Sequence, residues 1–242
     1  MMAAGHRTIA VAFALLLAGV HGTNAHAQAY QCRAGDARLS APPVKPEASA
    51  RRTPTTGYTL ALSWSPEFCR TRKTQSVHRH QCSGSHGRFG FILHGLWPES
   101  AGDRWPQWCR SVPPPSPATL RQHFCMTPSP SLMARQWAKH GSCMARRPEG
   151  YFKVAGILWY SLIWPDYDRI SRDKALTAGA IRSAFASANP GWKTEQIGLK
   201  LNDKGWLTEM RLCYGRDFTP ARCTTRQFGP HDAMTARIWR GL

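Results

Sequence analysis

The sequence predicts an α+β fold, and three observations carry that prediction. Strand-like alternation opens the core, helical stretches fill its middle, and a hairpin pattern lies near its end. Tyr58, Leu60, Leu62 and Trp64 alternate as in a half-buried strand until Ser65-Pro66 stops the run. Residues 89–94 read as a second strand, with Phe89, Phe91 and Leu93 on one face, Ile92 and His94 on the other, and Pro98 closing it. Loops follow at 113–117 and 127–130, and the second leads into a short helix over 131–140 that Gly141 ends. Residues 151–164 read as a long apolar helix stopped by Pro165. Thr177 is placed to cap another helix carrying Ile181, Ala184, Phe185 and Ala188, which Asn189-Pro190-Gly191 terminates. Residues 197–201 and 206–214, joined by Asn202-Asp203-Lys204-Gly205, read as a hairpin with Trp206, Met210 and Leu212 inward. There is no internal repeat.

The 242 residues are 42% hydrophobic and include ten Trp, enough apolar material for a sizeable core. Thirty-two Lys and Arg against fourteen Asp and Glu leave a formal charge of +18, so a polyanion is the expected partner: nucleic acid, anionic lipid or acidic glycan. The fourteen carboxylates are scattered, which argues against a cage for paired divalent metals and hence against a metal-dependent nuclease. Residues 1–27 read as a secretory signal, with Arg7 in the basic region, an apolar run over 9–20 and the cleavage box Ala25-His26-Ala27. Their removal takes away one formal charge and leaves +17. No other stretch is long enough to span a bilayer, so the mature chain is expected to lack a transmembrane segment.

Eight Cys, all after the signal, argue for disulfides and an oxidising compartment, and so for a secreted or periplasmic protein. A structural zinc is the lesser reading, because no CxxC pair is present and His80-x-Cys82 lacks a second half. Residues 28–57 form a leader rich in Pro and Ala whose composition reads as flexible, with Cys32 its one anchor. Residues 58–242 form the domain.

Two segments carry the chemistry. His94-Gly95-Leu96-Trp97-Pro98 leaves a strand, and Trp137-Ala138-Lys139-His140-Gly141-Ser142-Cys143 leaves a helix. They resemble the two active-site segments of the ribonuclease T(2) family, and they occur in the family's order within one Cys-rich chain. The resemblance covers Tyr58 to Cys223 and leaves the leader and the tail outside it. It implies a single domain with a central, mainly antiparallel sheet flanked by helices. It also implies a metal-independent endoribonuclease of low base specificity, acting on RNA as a monomer without a cofactor.

The residues fit that chemistry on their own terms, because RNA carries its own nucleophile. One neutral imidazole takes the 2′-hydroxyl proton, a second, charged one protonates the leaving 5′-oxygen, and a 2′,3′-cyclic phosphate results. His94 and His140 are the candidates. On a helix Gln136, Lys139 and His140 share a face and can converge on one phosphate, with Lys139 stabilising its extra negative charge. Trp97, Arg135 and Trp137 are the candidate substrate-binding residues, Trp97 as a stacking platform for a base and Arg135 as a phosphate contact. His78, His80, His86, His123 and His231 read as surface residues, and the remaining Arg and Lys as a solvated surface.

One departure from the family stands out. Its second segment usually runs His-Glu-Trp before Lys-His-Gly, whereas this chain has Arg135-Gln136-Trp137. Gln136 keeps hydrogen bonding but loses the charge that would tune an imidazole, so His140 is expected to titrate lower than with Glu in place. The alternative function is a cationic protein with weakened catalysis that binds RNA or anionic membranes by charge alone; His94 and His140 separate the two, since a polycation needs neither. For the cysteines, the resemblance and sequence proximity imply Cys69 with Cys82, Cys109 with Cys143 and Cys213 with Cys223, leaving Cys32 and Cys125 for each other.

Overall fold

The structure, a computed structural model, describes residues 29–30, 32–35 and 38–240. The segment read as a signal lies outside them. Six strands are described: β1 (Ala29–Tyr30), β2 (Gly57–Trp64), β3 (Arg88–Phe89), β4 (Phe91–Glu99), β5 (Ile197–Leu201) and β6 (Leu207–Gly215). The helices are α1 (Ser65–Cys69), α2 (Arg79–Cys82), α3 (Pro117–Gln122), α4 (Pro130–Lys139), α5 (Pro148–Tyr160), α6 (Tyr167–Ile170), α7 (Ala178–Ala188) and α8 (Thr225–Phe228). The main sheet has the order β4-β2-β6-β5 and is antiparallel throughout, while β1 and β3 form a separate antiparallel pair. This is the α+β architecture that the sequence predicts.

The register gives the sheet two unlike faces. Leu60, Leu96, Leu212 and Ile197 lie side by side across it, and the next rank on that face is Leu62, Leu93, Met210 and Leu199. All eight are buried and form one core with Phe152 and Trp159 of α5 and Ile181 and Phe185 of α7. The opposite face carries Ser63, Glu209, Arg211, Gly95 and Trp97. The register between β2 and β4 breaks at Ala61/Leu62: Ala61 pairs Gly95 and Leu62 pairs Leu93, so His94 is the extra, bulged residue. A bulge shifts side-chain parity by one. Leu93 and Leu96 therefore both point to the core, and His94 shares the outer face with Gly95 and Trp97.

Pro98 does not close the second strand, which runs on to Glu99. β4 is an edge strand, where the missing N–H costs no ladder bond. Its free edge is covered: Tyr151 Oη accepts from Leu96 N–H at 3.0 Å and donates to Leu96 O at 3.1 Å, and Leu93 N–H donates to Met126 O. α5 starts a turn earlier than the apolar run suggests, with Pro148 in its first turn, and ends at Tyr160. Asn189 takes over there, bonding both Ile163 N–H and Ile163 O. α7 is capped by Thr177 as expected, the hydroxyl accepting from Ala180 N–H. Met210 and Leu212 point inward, but Trp206 stays half-exposed against Trp239.

The four disulfides pair as the resemblance implies: Cys32–Cys125, Cys69–Cys82, Cys109–Cys143 and Cys213–Cys223. The leader has more anchors than Cys32. Leu39 is 4% exposed within the core, Arg51 pairs by backbone with Gln107, and the Arg52 guanidinium donates twice to Cys109 O. Two polar residues read as surface are buried. His123 stacks on Phe152, and Arg182 is enclosed by Ile197 O, Phe228 O, Pro230 O and the Asp232 carboxylate. Among the described residues no helix is long and apolar enough to cross a membrane.

Candidate active site

His94 and His140 come together around one indole. α4 is started by Ser129, whose hydroxyl accepts from Leu132 N–H, and Pro130 occupies its first turn. It ends at His140, whose N–H donates to Gln136 O at 2.9 Å. Trp108 N–H donates to Lys139 O at 2.7 Å, and the Cys109–Cys143 bridge follows at once, so the end of the helix is tied down on both sides of His140. The Trp97 ring lies 5.2 Å from the His94 ring, edge to face, and 5.6 Å from the His140 ring. Its N–H donates to Gln136 Oε1 at 2.7 Å. Gly95 is required in this contact, since a Cβ there would stand 2.7 Å from Trp97 Nε1 and closer still to the Gln136 amide. Gly141 is required likewise against Trp137 and Tyr151.

The two imidazoles sit in opposite surroundings. His140 is 4% exposed, and its Nδ1 is buried without a hydrogen-bond partner among the described residues. Burial first, then the charges of Lys139, His94 and Arg135, hold its pKa well below the ordinary histidine value. It is neutral near pH 7. His94 is half-buried, and its Nδ1 lies 2.8 Å from Glu209 Oε2. Burial pushes the Glu209 carboxyl up, but the hydrogen bond and charge of His94, together with Arg211 at 2.7 Å, outweigh it and hold the carboxyl below its ordinary value. A carboxylate only accepts, so Nδ1 carries the hydrogen and Nε2 is left for a substrate.

Lys139 is half-buried beside these rings, its pKa lowered by burial and by Arg135 and Arg51, with Glu47 opposing. Arg135 lines the hollow that holds His94, together with Ser63, Phe68 and Leu132. Its guanidinium is gripped by both oxygens of Glu47, a residue of the leader. Trp137 is a correction: it is 1% exposed, donates to Pro113 O and packs in the core, so it does not reach a substrate. Gln136 is also buried, with its carbonyl oxygen taken by Trp97. The sequence reading missed Glu209 and Arg211, whose alternation within Thr208-Glu209-Met210-Arg211-Leu212 was the available signal. Among the described residues no group of three or more His, Cys, Asp or Glu is arranged to hold a metal.

The fold and site define a class: an α+β protein in which one sheet face and the end of α4 gather two histidines, a lysine and a buried carboxylate. The description "Ribonuclease T2 family" matches residues 56–223, and the chain belongs to that family. Of sequence relatives, a probable ribonuclease of Haemophilus influenzae is 28% identical over 186 residues, covering 72% of this chain and 63% of that one. A ribonuclease of Aeromonas hydrophila is 35% identical over 101 residues, 42% of this chain and 43% of that one, so the chain spans less than two thirds of either relative's length. Ribonuclease I of Escherichia coli is 24% identical, covering 72% of this chain and 80% of that one. Among solved structures, trichomaglin, described as an S-like ribonuclease, superposes with a TM-score of 0.57 at 22% identity, covering 71% of this chain and 92% of that one.

Proposed function

We propose that this chain is an endoribonuclease that cuts single-stranded RNA outside the cytoplasm, as a monomer, by metal-independent transesterification with low base specificity. The observation that carries the reading is the pair of unlike imidazoles flanking Trp97. His140, kept neutral by burial, accepts the 2′-hydroxyl proton as the 2′-oxygen bonds to phosphorus. The bond to the 5′-oxygen breaks, and His94, acting as the imidazolium beside the Glu209 carboxylate, delivers its proton to the leaving oxygen. Lys139 stabilises the extra charge of the pentacoordinate state. The products are a 2′,3′-cyclic phosphate and a free 5′-hydroxyl. The half-exposed Trp97 ring serves a base, and Arg135, once released from Glu47, serves a phosphate. The four disulfides favour an oxidising compartment.

The test is cleavage of a single-stranded RNA in EDTA, with the products assayed for cyclic phosphate. RNA is expected to be cut and DNA of the same sequence left intact, because DNA lacks the 2′-hydroxyl. His94→Ala and His140→Ala are each expected to lower turnover at least ~100-fold, the lower end for a positioned acid or base. Cleavage of DNA at the same rate, or full activity in either variant, overturns the mechanism; RNA that is bound but not cut leaves the polycation reading in its place.

A further inference from the structure

The sheet face that carries His94 continues, on the side away from Trp97, into grooves that extend beyond the reacting groups. Ser63 and Phe68 border both the hollow of His94 and the next groove, which is also lined by Arg72, Lys200 and Glu209. Glu67 in that groove joins it to Arg70, 3.5 Å away. The Arg70 guanidinium lies over two half-exposed indoles, 4.3 Å from the centre of Trp239 and 5.1 Å from that of Trp206. These two rings meet edge to face and border a further groove of about 490 Å³ with Lys174, Arg237 and Arg240. Trp239 and Arg237 belong to the tail beyond the family match, and that tail is held in place: Trp64 Nε1 donates to Trp239 O at 2.7 Å, and Leu207 N–H to Arg237 O at 2.8 Å.

The charges along this path are unequal in availability. Glu209 is occupied by His94 and Arg211, Glu67 by Arg70 and Asn202, and Asp173 by Ala175 N–H. Lys174, Lys200 and Arg237 have no ion-pair partner among the described residues. Free cations beside partly exposed indoles are the combination that takes single-stranded nucleic acid without reading its sequence, phosphates on the cations and bases on the rings. We infer that this path is a distal RNA subsite, holding the stretch of substrate that extends from His94 away from Trp97, with its bases against Trp206 and Trp239. The inference rests on the ribonuclease reading, and it gives the tail a role in extending the grip on long RNA.

The experiment compares a dinucleotide with a labelled single-stranded RNA of about 20 nucleotides, longer than the ~4–16 that one single-strand-binding module covers. Turnover is measured on both substrates, and affinity for the long one in a His140→Ala background. Lys174→Glu with Arg237→Glu, both at exposed positions, is expected to leave dinucleotide turnover unchanged and to weaken long-RNA binding at least ~10-fold. The slope of log affinity against log salt should become shallower by about 0.7 for each phosphate that is no longer neutralised. Trp239→Ala should weaken long-RNA binding at least ~5-fold; the charge reversals keep the test sound if that variant folds poorly. Equal effects on the two substrates, or unchanged affinity for long RNA, overturn the subsite. So do variants that keep RNA but lose anionic phospholipid vesicles, which would make the path a membrane surface. A parent chain that binds long RNA but turns over neither substrate refutes the ribonuclease reading instead.

Discussion

Glu209 is the residue on which His94 depends. An ionised carboxylate 2.8 Å from Nδ1 selects one tautomer and one ring orientation, and Arg211 keeps that carboxylate in place from its other oxygen. Glu209→Gln preserves shape but can present an amide N–H to Nδ1, which favours the wrong tautomer. Turnover of a dinucleotide is expected to fall about 100-fold, in the range of losing an acid or base, with KM little changed. Steady-state kinetics check this, and an unchanged kcat would reduce Glu209 to a structural role. Gln136 poses the complementary question. Its carbonyl oxygen holds Trp97, and a Glu carboxylate at this position keeps that bond while opposing the cations that lower His140. Gln136→Glu is therefore expected to raise the limb of the pH-rate profile that reports His140. An unmoved profile would mean that position 136 acts only through Trp97.

At the scale of elements, the site depends on a bulge and a tether. The bulge at His94 turns this ring, Gly95 and Trp97 onto one face while Leu93 and Leu96 stay in the core. The tether is the Cys109–Cys143 bridge, in the turn that directly follows α4. Replacing both cysteines by Ala is expected to cost about 2–4 kcal/mol of stability, mostly by freeing the unfolded chain. Turnover should also fall under conditions where the variant remains folded, because the end of α4 carries both Lys139 and His140. Denaturant midpoints and dinucleotide kinetics on the same preparation separate the two effects. A stability loss with unchanged kcat would show that Trp108 N–H alone holds the helix end.

For the whole molecule, the same groups that suit the reaction make the fold sensitive to acid. His140 titrates lower folded than unfolded, so the unfolded chain binds a proton more readily below the ordinary value of 6.5. Its contribution to stability is complete above 6.5 and is lost as the pH falls from there. Glu209 also titrates lower folded, so its contribution is complete above its ordinary value of 4.5 and is lost as the pH falls through its folded value. Denaturant midpoints are expected to decline in two stages, one beginning near 6.5 and one below 4.5. His140→Gln should reduce the first stage, to which His78, His80 and His123 also contribute, and Glu209→Gln the second; a midpoint that stays level between 6.5 and 4.5 would contradict the buried neutral His140.

Much of this protein is legible in its sequence because the signals are local. Alternation along 58–64, the Thr177 cap and the Asn202–Gly205 turn each rest on neighbouring residues, and the two segments proposed for the active site single out His94, Lys139 and His140 by their residue order. The tertiary structure decided what depends on residues distant in the chain. Glu209 meets His94 across 115 positions and Glu47 meets Arg135 across 88, separations at which no spacing pattern survives. Trp97 and Trp137 look alike in sequence, yet one lies between the imidazoles and the other is sealed in the core. The chain that leaves α5 is held at Ile163 by Asn189, the residue that follows α7, and the strand passes through Pro98 because it lies at the sheet's edge. Local chemistry names the candidate groups; the register of the sheet, with one bulged residue, places His94 on the face of Trp97 and Glu209, and the packing of α4 brings His140 to the same indole.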